Sequence, residues 1–313
     1  MKKNFKQNWM LVFCLTLFFI SGTVLAANVN TVNVIVNNDP PLEQSGQTGR
    51  INWEQGTGGT IEALGMGLAP ASVINARQGQ ILARRAAIVD AYRNLAEATQ
   101  GVRVDSETTM QNLAVADDVV RVQVSALVQG AKIVREIPGI DGSYQVIMSI
   151  NMYGPNSVAK IAFDAIKPAE IQPFPQPDIV PPMTLPGSLP GKPAYIPTPH
   201  YANYTGVVVV AKDMGLQSTF SPRLYDEAGN IVYGNKYIDP DFAIEHGMVD
   251  YSNLDAALSG NSRAGANPLV VNALRIVDHD CNVVISNDDG QKILAAHAQS
   301  GFLAKCAVVF ARR

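Results

Sequence analysis

Apolar residues recur at three- and four-residue spacings between Gln78 and Ala96, at Ile81, Leu82, Ile88, Val89, Tyr92, Leu95 and Ala96. Arg84, Arg85, Arg93 and Glu97 fall mostly on other faces, so the pattern predicts an amphipathic helix with one apolar stripe. It runs from about Ser72 to Ala98, with Gly79 a mild weakness inside it and Gly101 as its stop. Thr60 to Gly67 reads as a short strand whose glycines permit close backbone approach or a bulge. Val102 to Thr109 is a second strand candidate. From Val120 to Gln129 valines alternate with polar residues, which predicts a strand with one buried face. Gly130 then introduces a bulge before Ile133 to Ile137. Pro138 to Gly142 is turn chemistry, since Asp141-Gly142 tolerates positive φ. Tyr144, Val146, Met148, Ile150 and Met152 form the apolar face of the returning strand. A short helix, Asn156 to Ile166, follows. The expected unit, residues 60–166, is a two-layer α+β domain with a helix on an antiparallel sheet.

Lys167 to Pro199 holds more than half of the 19 prolines and shows little apolar periodicity, so 167–203 is expected to be a semi-rigid linker. Beyond it, residues 204–313 predict a second α/β domain with a mixed sheet. Gly206 to Ala211 is a valine run suited to a strand buried on both faces. The order of strand Val283–Ser286, helix to Gln299 and strand Ala307–Phe310 suggests a parallel pair in that sheet. Before the first domain, Asn28 to Asp39 alternates valine with asparagine, and 27–59 is expected to form an extended arm.

The first residues read as an address. Lys2, Lys3 and Lys6 precede the apolar run Met10–Ile20, and Val24-Leu25-Ala26 offers small residues for cleavage after Ala26. Cys14 lies inside the apolar run, so no lipid anchor is expected. Export leaves Cys281 and Cys306 in an oxidising compartment. Both precede their strands at one end of the expected sheet, which favours a disulfide over the alternative of two buried thiols.

With 47% hydrophobic residues, the 313-residue chain can bury two cores. A net charge of -3 lacks the basic footprint of a nucleic-acid binder. No constellation reaches the standard of a catalytic site, and no metal or other cofactor is expected. Asp278-His279-Asp280-Cys281 is the most suggestive cluster, but an extended segment points neighbours to opposite sides, and a solvated turn explains it better. Its partial resemblance to a calcium loop fails where Val283 replaces the required glycine. Arg84, Arg85 and Arg93 form a possible interaction or anion-binding face, although paired arginines on an exposed helix are usually solvated or salt-bridged.

Gly65-Met66-Gly67-Leu68-Ala69-Pro70, the run Ala83 to Glu97, Gly101-Val102 and the Asp141-Gly142-Ser143-Tyr144 turn together resemble the twenty-kilodalton Lpp outer-membrane lipoprotein family, whose relatives include the flagellar envelope proteins FlgP and FlgT. The likeness covers Gly65 to Tyr153. It implies a non-catalytic envelope protein, and the absent lipidation cysteine departs from the family pattern. The expectation is a periplasmic structural or assembly factor that binds envelope proteins or itself, with peripheral outer-membrane association and no lipid anchor. The alternative is a binding module for a small anionic ligand or cell-wall fragment, using Arg84, Arg85 or the basic residues near Lys212.

Overall fold

Two glycines on one strand decide how the first half packs. The computed structural model describes residues 40–53, 58–177 and 203–312, all within a unit spanning Val36–Arg313. The expected leader, the Asn28–Asp39 segment and most of the proline-rich stretch lie outside the described residues. In the first half, β1 (Gly49–Asn52), β2 (Thr60–Leu68), β3 (Lys132–Pro138) and β4 (Ser143–Asn151) form an antiparallel sheet in the order β1-β2-β4-β3. Helix α1 (Ala76–Gln100) starts where the Asn75 side chain accepts from the backbone of Arg77 and Gln78, and it ends at Gly101. Gly65 and Gly67, two apart on β2, present the same face to α1. A Cβ on Gly65 would stand 2.1 Å from the Ala87 carbonyl oxygen, and one on Gly67 2.1 Å from that of Ala83.

This approach leaves room only for small side chains. The buried face of α1 is therefore Ala83, Ala87 and Ala91, continued by Asn94, Leu95 and Thr99. The expected stripe is corrected accordingly: of its members only Leu95 is fully buried, while Ile81 and Val89 are 50% and 69% exposed.

A second correction concerns Val120 to Gln129, which is not a strand but part of helix α3 (Asp118–Gln129), preceded by α2 (Met110–Ala116). Val120, Val124 and Val128 are its buried positions. Spaced by four, they satisfy a period of two and a helical period equally. Side-chain caps at Thr109 and Asp117 select the helix. The hairpin beyond is as expected, with Asp141 accepting from Ser143 and Gly142 at φ 84°. Its irregularity falls between Ile133 and Arg135 rather than at Gly130. The 102–109 segment contributes a single bridge, Arg103 to Thr109. Helix α4 (Val158–Ile166) is capped by Ser157. Part of the expected arm is ordered: Leu42 is buried against Leu64 and Ile147.

The second half holds two sheets. Strands β5 (Gly206–Val210), β8 (Asp250–Ser252), β9 (Pro268–Asn272) and β12 (Val308–Ala311) pair in parallel, in the order β8-β12-β5-β9. The mixed sheet comprises β6 (Leu224–Tyr225), β7 (Ile231–Tyr233), β10 (Arg275–Val277) and β11 (Asn282–Val284), in the order β10-β11-β6-β7. Helices α5 (Pro240–His246), α6 (Leu254–Leu258) and α7 (Asn287–Ser300) complete it. The strands flanking α7, β11 and β12, are therefore not a parallel pair, since they belong to different sheets. The cysteines that precede them are separated in consequence. Cys281 and Cys306 are buried free thiols, and the expected disulfide is not formed.

One apolar cluster runs through both halves. Phe220, from the second, packs edge-on against Trp53 at 5.0 Å, Tyr153 at 5.9 Å and Phe163 at 6.0 Å. The backbone N–H groups of Phe220 and Ser221 donate to the carbonyls of Arg103 and Val104. At the start of the proline-rich stretch, Phe174 lies 4.3 Å from the His297 ring and 5.0 Å from that of Tyr237. His297 Nδ1 accepts from the Leu303 N–H at 3.1 Å, and burial holds its pKa below the ordinary imidazole value.

Candidate functional site

With the alanine face of α1 spent on the sheet, its bulky residues turn elsewhere. At 100° per residue, Leu82, Arg85, Val89, Arg93 and Ala96 lie on the side opposite Ala87. Ile88 and Tyr92 are half-buried beside them, and the Tyr92 hydroxyl donates to the Gln129 carbonyl at the end of α3. Ile88, Tyr92 and Ala96 pack partly against the core, so the side opposite the alanines exposes Val89 between Arg85 and Arg93. Val115, Val119 and Val122, on α2 and α3, are also exposed.

The three arginines singled out from the sequence have different fates. Arg84 leans toward β3, where its Nε and Nη2 donate to the two carboxylate oxygens of Glu136, each at 2.7 Å. The Tyr144 hydroxyl donates to the same carboxylate at 2.7 Å. Hydrogen bonds from Arg84, then from Tyr144, pull the Glu136 pKa from 4.5 to about 2, and Glu136 in turn raises that of Arg84. Arg84 is therefore committed to a side-chain pair rather than presented to a ligand. Arg93 lies 4.0 Å from Asp90 and 3.8 Å from Glu97, loose pairs along the helix. Arg85 is exposed and makes no ion pair among the described residues.

The Arg84–Glu136 pair predicts a pH response. Because the folded pKa of Glu136 is depressed, its contribution is complete above about pH 4.5 and is lost as pH falls toward 2. Thermal melts of the native chain and of Glu136→Gln should converge over that interval. A constant separation would show that the pair does not contribute.

Two polar side chains on α1 do something the sequence did not disclose. Strand β1 ends opposite Ala63, and beyond the Leu64 N–H, which donates to the Thr48 carbonyl, the outward backbone groups of β2 have no strand partner. Asn94 Nδ2 donates to the Leu64 carbonyl at 2.7 Å, and the Met66 N–H donates to Asp90 Oδ2 at 3.0 Å. The one available signal was an asparagine on the helix four residues after an aspartate.

Asp278, His279 and Asp280 form a tight turn in which all three adopt left-handed φ, at 53°, 55° and 62°. Asn282 Nδ2 donates to Asp278 Oδ2 at 2.8 Å. The Cys281 thiol donates to the His279 carbonyl and accepts from Arg103 Nη1, and burial raises its pKa. These groups are used within the turn and its contact with the first half. Among the described residues no group of three or more His, Cys, Asp or Glu side chains is placed to hold a metal, and no helix is long and apolar enough to cross a membrane. Lys212, the other basic residue considered for an anion, is exposed just beyond β5.

The family profile for the second domain of Treponema pallidum Tp0624 matches residues 206–312. That range takes in both sheets of the second half, from β5 to β12, and is less than half of the chain. A search of curated proteins gave no match.

Proposed function

We propose that this chain is a non-enzymatic exported cell-envelope protein, a structural or assembly factor on the periplasmic side of the outer membrane that associates with envelope proteins or with itself. The observation that carries the reading is the open face of α1, where Val89 stands 69% exposed between Arg85 and Arg93. An exposed apolar residue flanked by two cations suits a protein–protein contact. The basic leader and apolar run at the N-terminus support export. The resemblance of Gly65 to Tyr153 to the Lpp family supports the envelope, with flagellar association as its more specific form, and the missing lipidation cysteine points to peripheral attachment. The likeness to the Treponema pallidum domain adds no activity to this reading.

Cross-linking in intact cells, with membrane fractionation and mass spectrometry, tests the proposal. Large complexes containing the chain together with itself or outer-membrane or flagellar proteins are expected. Recovery as an uncross-linked soluble monomer would sink it. Val89→Lys should abolish the complexes while changing stability by less than about 0.5 kcal/mol, as an exposed substitution does.

A further inference from the structure

A cleft of about 570 Å³ opens between α3, the ends of β3 and β4, and the first turn of α4. That volume falls in the range of small-molecule sites, about 300–1,000 Å³. Its lining includes the side chains of Lys132 and Lys160 and contains no aspartate or glutamate. In a chain of net charge -3 this is a local reversal of sign. Lys160 pairs with Asp164 one turn along α4, outside the lining. Lys132 makes no ion pair among the described residues.

The remaining polar groups narrow the chemistry. Gln123, Ser149, Asn151 and Asn156 line the cleft, and none of their side chains has a hydrogen-bond partner among the described residues. Amides and hydroxyls both donate and accept, as a ligand rich in hydroxyl groups requires. Ile150 and Ile161 supply apolar wall for the C–H edge of a ring. No aromatic residue lines the cleft, so it offers nothing for a nucleobase to stack on. Donors spread around a space this size suit a ligand larger than a bare phosphate, which is held by converging backbone N–H groups.

We infer that this cleft binds a small acidic sugar, a hydroxylated ring bearing a carboxylate, with Lys132 supplying the countercharge and the amides reading the hydroxyls. The site is separate from the open face of α1 and does not rest on the assembly reading.

N-acetylmuramate and N-acetylglucosamine, which differ by a lactyl carboxylate, provide a matched pair of probes for calorimetry on the full mature chain. N-acetylmuramate is expected to bind, with N-acetylglucosamine at least about tenfold weaker. Lys132→Gln should weaken binding about tenfold while the circular-dichroism melt is unchanged, and added salt should weaken it further. Equal affinity for the two sugars, equal or tighter binding of inorganic phosphate, no binding at millimolar sugar, or affinity indifferent to that substitution would each overturn the assignment. The substitution does not touch α1, so cross-linked complexes report independently on assembly.

Discussion

Gly65→Ala is expected to destabilise the chain by about 3 kcal/mol or more, because one methyl group must fit where a helix backbone already lies. The added carbon would stand 2.1 Å from the Ala87 carbonyl oxygen and 2.2 Å from the Ala91 nitrogen. Neither atom belongs to a side chain that can rotate away, so helix and sheet must separate. Separation exposes Ala83, Ala87, Ala91 and Ile61, all fully buried. Gly130→Ala is the matched control: its new carbon would meet nothing nearer than 3.5 Å, and its φ of -81° is open to any residue. Denaturant titrations of both variants test the claim. Two equal midpoints would show that the close approach of β2 and α1 is not a constraint.

Phe220→Ala has the next largest expected effect, a loss of about 3–5 kcal/mol. Its ring fills a site lined by Trp53, Tyr153 and Phe163, all from the first half. Removing it leaves a cavity and three edge-to-face contacts unmade. It also weakens the apolar continuity between the halves, so a single unfolding transition in the native chain should become two in the variant. Differential scanning calorimetry reads both consequences. One unbroken transition within about 3 °C of the native midpoint would refute the role given to Phe220.

Much of the fold is legible in the sequence, and what is not has physical causes. The end of α1 at Gly101 and the turn at Asp141-Gly142 were legible because glycine and aspartate act locally. Strand β2 was legible as a strand, and its glycines as places of close approach. Which face of α1 would be buried was not legible, because hydrophobicity favours Ile81 and Val89 whereas available space favours Ala83 and Ala87. Val120, Val124 and Val128 fit both periods, and a single capping aspartate, Asp117, decides between them. The separation of β11 from β12 into different sheets depends on long-range pairing, and the expected disulfide fell with it. At the candidate site, the partner of Arg84 is Glu136, 52 residues away, beyond any local pattern. The cleft with Lys132 and Lys160 was invisible for the same reason, since it assembles residues from four elements.

Asp90 and Asn94 have a consequence for how the chain finds its alignment. Ala83, Ala87 and Ala91 repeat every four residues, so sliding α1 by one turn along β2 would set alanine against glycine again. Steric fit alone therefore leaves neighbouring alignments nearly degenerate. The two polar groups remove the ambiguity, for only one placement brings an amide donor to the Leu64 carbonyl and a carboxylate to the Met66 N–H. The Leu64 carbonyl is shielded from water, and leaving it unanswered in a slipped arrangement costs about 1–3 kcal/mol. A smooth surface lets the helix travel, and a pair of hydrogen bonds tells it where to stop.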